Sequence, residues 1–295
     1  MIKPYKEYFT IFYGTSFAFN IYYYALCILA GIILCAVACF FLFKRRNIAA
    51  DYILELLIIL IPLGIIGART FYVLTDPNTS FSQWFQFRDG GISILGAVIG
   101  GTIGILLFCL WRKVNFFRLT DCIVPGLILA QGIGRWGNFI NQEVYGQLIT
   151  NPKWQFFPFA VEIGGNWYQA LFFYEFVFNI LMFIGLYTFM WLYRKKPNGL
   201  ATAIYFMGYG IVRSIMEGMR DNQFILGHGV AASRVVSIIM AVGGAILFAV
   251  MLWLNYKKEG SLFGSKKGEE LAILPKYPLQ KSTDKGTDKI DKKGK

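Results

Sequence analysis

Seven apolar runs alternate with short polar or basic stretches along this chain, and each run is long enough to read as a membrane helix. About 20 residues rising about 1.5 Å each cover the hydrocarbon core of a bilayer. The pattern predicts spans at Ile21–Phe43, Tyr52–Leu74 and Gly91–Trp111. A fourth opens near Thr120-Asp121 as its N-cap and rises through Pro125. The fifth covers Gln169–Tyr193, the sixth Leu200–Gly218 and the seventh Ser233–Tyr256.

Basic clusters orient these spans. Lys44-Arg45-Arg46, the stretch from Arg112 to Arg118, Arg194-Lys195-Lys196 and the Lys-rich C-terminus fall on one side if the N-terminus is outside and the C-terminus cytoplasmic. The fold class is therefore an all-α polytopic membrane protein with seven transmembrane helices. Residues 1–20 are aromatic-rich and read as an interfacial segment, and 21–256 as the membrane domain. Within it, 141–168 forms an extended or partly sheet-like outer segment, broken by Pro152, Pro158 and Gly164-Gly165. Residues 257–295 are Lys, Asp, Gly and Ser with few apolar residues and read as a disordered cytoplasmic tail.

Composition agrees. Apolar residues make up 56% of the 295, and the mean hydropathy is +0.50. The net charge of +12 would suit nucleic acid were it a patch, but eleven of the twenty-nine Lys and Arg lie from Lys257 onward and most others follow the spans. The bilayer, not nucleic acid, is the expected partner. Cys27, Cys35, Cys39, Cys109 and Cys122 sit in or beside apolar runs without ligand spacing, so neither a disulfide framework nor a metal or other cofactor is expected.

The spans nevertheless hold charge. Arg69, Arg135, Glu143, Glu175, Arg213, Glu217, Arg220 and Arg234 lie at or inside their outer halves, and an ionised group at mid-membrane costs about 2.5–3.5 kcal/mol on insertion scales. Such residues must pair with one another or face a wet cavity. Arginines outnumber carboxylates here, which invites an anion. Gln131, Arg135, Asn138 and Gln142 form one stripe if the fourth helix extends that far, and Arg213, Glu217 and Arg220 share a face of the sixth, with Arg213–Glu217 spaced as a helix pair. The planar fork of arginine matches a phosphate oxygen pair, so an outer-leaflet phospholipid headgroup fits this chemistry.

The stretch Gly134-Arg135-x-Gly-Asn138-Phe139-Ile140-Asn141-x-Glu143-x-x-Gly146 resembles the signature of the bacterial prolipoprotein diacylglyceryl transferase family. So do Ile61-Pro62-x-Gly64-Ile65-Ile66-Gly67-Ala68-Arg69, Gly90-Gly91-Ile92-Ser93, Phe173-Tyr174-Glu175 and Tyr209-Gly210-x-x-Arg213-x-x-x-Glu217-x-x-Arg220, with Tyr24 matching a family tyrosine. The resemblance covers roughly residues 20 to 256 and implies seven spans in the bacterial cell membrane. It also implies an enzyme that moves the sn-1,2-diacylglyceryl group of phosphatidylglycerol to the lipobox cysteine of a prolipoprotein signal peptide, releasing glycerol 1-phosphate at the outer leaflet. It assigns Arg135 and Arg213 as the catalytic arginines. Tyr24, Arg69, Asn138, Asn141, Glu143, Gly146, Glu217 and Arg220 would join Arg135 around the lipid, with Glu217 orienting Arg213 and Gly146 admitting lipid close to backbone.

Two positions depart from the family pattern. Leu95 stands where many members carry a histidine thought to take the thiol proton, and Gln169 stands where a further histidine is expected. The single histidine, His228, lies in a Gly-rich loop and reads as a surface residue. Tyr24 and Glu143 remain candidates for the base, and arginines alone could favour the thiolate of a group with a reference pKa near 8.5. Two other readings keep the same residues: an anion or lipid transporter, and a receptor or scaffold with a structural charge network. A transporter would be expected to show repeats and broken helices in paired positions, which this sequence lacks.

Overall fold

A computed structural model describes residues 8–11, 19–76, 79, 82, 84–85, 91, 93–193, 197–220, 225–226 and 230–260. The apolar runs form helices α1 (Tyr23–Arg45), α2 (Tyr52–Thr75), α3 (Ile94–Arg112), α4 (Phe116–Ile140), α5 (Leu171–Leu192), α6 (Leu200–Gly218) and α7 (Ala232–Glu259). Six of them have the length and composition to cross a membrane. The other, α6, carries Arg213 and Glu217 within its 19 residues, which dilutes its apolar signal. Large side chains such as Ile58, Ile94, Leu110 and Ile239 point outward and are more than 60% exposed, as lipid-facing positions of a polytopic membrane protein would be.

Helix α4 is the hub. Half of its apolar stretch is buried, against 11% for α7, and it packs on α1, α5 and α6. Helices α2 and α3 pair through glycines: a Cβ at Gly67 would strike the carbonyl oxygen of Gly96, and one at Gly100 that of Leu63. Backbone contact this close maximises dispersion where no hydrophobic drive exists between spans. The main apolar cluster gathers Phe43, Tyr52, Leu56, Phe108, Leu119, Ile128 and Met190.

The start of α4 differs from expectation. Asn115 caps it, its Oδ1 accepting from Arg118 N at 3.0 Å, so Phe116 to Thr120 are already helical. Asp121 instead lies fully buried against the start of α6. Its carboxylate accepts from Gly199 N at 2.8 Å, Thr202 N at 2.9 Å and Thr202 Oγ1 at 2.8 Å. A carboxylate placed there satisfies amides with no partner inside α6 and suits the positive end of its dipole. Gly199, at φ +95°, supplies the left-handed turn that makes this approach feasible.

One short antiparallel hairpin precedes the helices and two join them. β1 (Tyr8–Ile11) pairs with β2 (Phe19–Tyr22), β3 (Ala160–Ile163) with β4 (Asn166–Gln169), and β5 (Ile225–Leu226) with β6 (Val230–Ala231). The β3–β4 hairpin, preceded by a 3-10 turn at Pro152–Trp154, gives the segment between α4 and α5 its partly sheet-like form. An apolar cluster of Phe139, Val161, Ala170 and Phe172 fastens it to the end of α4, with the Phe139 and Phe172 rings stacked 4.5 Å apart. His228 and residues 261–295 lie outside the described residues.

Candidate active site

Helices α4, α5 and α6 bring a row of charges together where α4 ends. Glu175 is the one charged residue of α5 and is 3% exposed. Its Oε2 lies 2.7 Å from Arg135 Nε on α4, a close ion pair whose N–H is not aligned as a hydrogen bond. Its Oε1 accepts from Arg213 Nη1 on α6 at 2.8 Å. Arg213 Nη2 lies 2.8 Å from Glu217 Oε2 one turn on, and Glu217 Oε1 lies 3.6 Å from Arg220 Nη1. Three arginines thus share two almost fully buried carboxylates.

The chain turn after α4 adds a polar rim. Asn141 ends the helix, and Gln142 (φ +53°) and Val144 (φ +59°) adopt left-handed backbone. For a β-branched valine that conformation is strained. The turn folds Glu143 back, its N–H donating to Asn138 O at 3.0 Å. Glu143 Oε1 then accepts from Asn138 Nδ2 at 2.8 Å and from Asn141 Nδ2 at 3.5 Å. Arg135 Nη1 donates to Asn138 Oδ1 at 3.4 Å, so Asn138 links the rim to the arginines. Because the helix stops at Ile140, Gln142 leaves the expected stripe, and Gln131 lies deeper, donating to the Tyr205 hydroxyl at 2.9 Å.

Tyr24, in the first turn of α1, packs its ring on Gly137, where a Cβ would collide with it. Its phenol interacts electrostatically with Glu143 and Arg135. Guanidiniums held by carboxylates, with amides beside them, form a preorganised donor set of the kind that stabilises a developing phosphate charge.

The model of the prolipoprotein diacylglyceryl transferase family matches residues 12–250. This chain belongs to that family. Similar proteins named phosphatidylglycerol--prolipoprotein diacylglyceryl transferase include one from Streptococcus uberis, 35% identical over 79% of this chain and 91% of its own length. One from Finegoldia magna is 35% identical over 82% of this chain and 94% of its own. Another from Clostridium perfringens, whose name ends in 1, is 31% identical over 83% and 96% respectively.

In this member of the diacylglyceryl transferase family, most residues expected at the site meet there: Arg135, Arg213, Glu217, Arg220, Asn138, Asn141, Glu143 and Tyr24. Two behave differently. Gly146 forms a β-bridge with Arg220, and a Cβ there would come within 2.7 Å of the Gln169 side chain. Its small size lets the outer segment reach the end of α6. Arg69 is 3% exposed; its Nε donates to Trp84 O at 3.1 Å and its Nη1 to Gly91 O at 2.8 Å. These bonds tie the α2–α3 connection to α2.

Leu95, in the first turn of α3, is 37% exposed. Glu175 stands in the sequence both among the ionisable groups of the spans and in the Phe173-Tyr174-Glu175 stretch, but with no site role assigned to it. The signal lay in its solitude: a lone charge in an otherwise uncharged span needs a partner from another helix.

Proposed function

We propose that this chain transfers the sn-1,2-diacylglyceryl group from phosphatidylglycerol to the lipobox cysteine of a prolipoprotein. The cysteine sulfur bonds to the glyceryl carbon that carries the phosphate, and the carbon–oxygen bond breaks with its electron pair staying on oxygen. Thioether and glycerol 1-phosphate result, and the thiol proton is released. The observation that carries the reading is the Arg135–Glu175–Arg213 row in a chain of this family.

Charge on the leaving phosphate rises as the bond breaks, so fixed guanidiniums favour the transition state over the ground state. Arg135 and Arg213 take the phosphate. Asn138, Asn141 and Glu143 form the polar rim for the headgroup, Tyr24 lines it, and Glu217 orients Arg213 with Arg220 beyond. The thiol must lose a proton without an imidazole at residue 95, and the arginines lower the cost of the thiolate by their positive field.

The basic clusters support an arrangement with the N-terminus outside and the site at the outer leaflet of the bacterial cell membrane, where both lipid and exported cysteine are within reach. The Lys-rich segment 257–295 would then be a cytoplasmic tail beyond a membrane domain at 21–256.

The test is direct. Purified protein, phosphatidylglycerol vesicles and a lipobox peptide should yield thioether-linked peptide, detected by mass. No product where another family member is active would end this reading.

A further inference from the structure

We infer that Glu175 is a positioning residue that sets both the separation and the net charge of the two arginines that receive the leaving phosphate. This inference rests on the transfer reading above. Glu175 gives one oxygen to each guanidinium, Oε2 to Arg135 Nε at 2.7 Å and Oε1 to Arg213 Nη1 at 2.8 Å. The two arginines come from α4 and α6, and like charges on neighbouring helices would otherwise swing apart. The span of a single carboxylate therefore sets how far apart the two forks stand.

The support beneath Glu175 is rigid. Phe172, one turn earlier on α5, stacks on Phe139 of α4. Asn179, one turn later, abuts Gly132 of α4 so closely that a Cβ there would come within 3.2 Å of its own Cβ. These two contacts, one on each side of Glu175, set how α5 faces α4 and so aim the carboxylate at the arginines. Arg213 has a second carboxylate in Glu217, so Glu175 matters most for holding Arg135 in register with it.

Charge is the second element. Arg135, Arg213 and Arg220 with Glu175, Glu217 and the rim's Glu143 sum to a formal charge of zero, so removing the charge of Glu175 would leave the site with one net positive charge. The leaving phosphomonoester carries more negative charge than the diester. A row made one unit more positive would hold that product too tightly and aim it poorly. Glu175 thus balances capture of the lipid against release of glycerol 1-phosphate.

The experiment compares wild type with Glu175→Gln and Glu175→Asp in full-length protein, using phosphatidylglycerol vesicles, a lipobox peptide and glycerol 1-phosphate as product inhibitor. Glu175→Gln should lower kcat by about 10²-fold, the loss expected when reacting groups shift by about 1 Å. Its KM for phosphatidylglycerol should be unchanged or lower, and inhibition by glycerol 1-phosphate should tighten. Glu175→Asp keeps the charge and loses the reach, so inhibition should return towards wild type while kcat stays low. A generally loosened fold would instead raise KM and weaken inhibition. Wild-type kcat in either variant, or a raised KM with weakened product inhibition, overturns the inference. If Glu175→Gln does not fold, Glu175→Asp decides alone. Absence of product from wild type would instead defeat the transfer reading and is read out separately.

Discussion

Arg135 and Arg213 reach the same carboxylate by different atoms: Arg135 through Nε at 2.7 Å and Arg213 through Nη1 at 2.8 Å. Arg135 therefore approaches Glu175 with the inner side of its fork and turns its Nη edge towards Asn138. A lysine at 135 would have one nitrogen for all of these partners. Arg135→Lys should keep the positive charge and still lose about 10²-fold or more in kcat/KM, measured as thioether formation per folded protein. Near-normal turnover would remove the role given to the planar fork.

Glu217 is 1% exposed and lies between Arg213 and Arg220. Neutralising it takes a counter-charge from two partly buried guanidiniums. Glu217→Gln should cost about 3–5 kcal/mol, the usual result of breaking a buried pair from one side, and lower the Tm in detergent. Replacing Arg213 and Glu217 together by apolar residues should restore part of that stability without restoring activity. Additive losses in such a double-mutant cycle would show that the pair is not coupled.

Asp121 stands far along α4 from the arginines and acts on folding. Asp121→Asn keeps the shape and loses the charge at the start of α6, where Gly199 N, Thr202 N and Thr202 Oγ1 donate to it. The expected loss is about 1–3 kcal/mol, seen as a lower Tm. Turnover per folded molecule should stay near wild type; a selective loss of kcat would place Asp121 in the chemistry instead.

Arg69 separates the two kinds of arginine in this bundle. Arg69→Lys breaks the paired bonds to Trp84 O and Gly91 O, so hydrogen exchange should rise at the ends of α2 and α3. Inhibition by glycerol 1-phosphate should remain at the wild-type level. A weakened inhibition would return Arg69 to the lipid site that its sequence context suggests.

The sequence by itself determined the elements and most of the chemistry. Apolar runs of span length leave helices as the means of satisfying backbone groups in lipid, and charges in those runs marked the residues that meet at the site. The motif around Arg135 pointed to the family, because its residue types and spacings are long and specific. What tertiary structure decided was which charges pair. Sequence spacing reports neighbours on one helix, as for Arg213 and Glu217, but Glu175 has its partners on α4 and α6. Likewise Asp121 has a helix-start pattern in the chain, yet caps a different helix. Gly146 makes room for Gln169, and Arg69 serves a loop. Each of these depends on how helices approach one another in space, which no periodicity along a single chain encodes. The row Arg135–Glu175–Arg213 is the product of that approach, on residues the sequence had already made unusual.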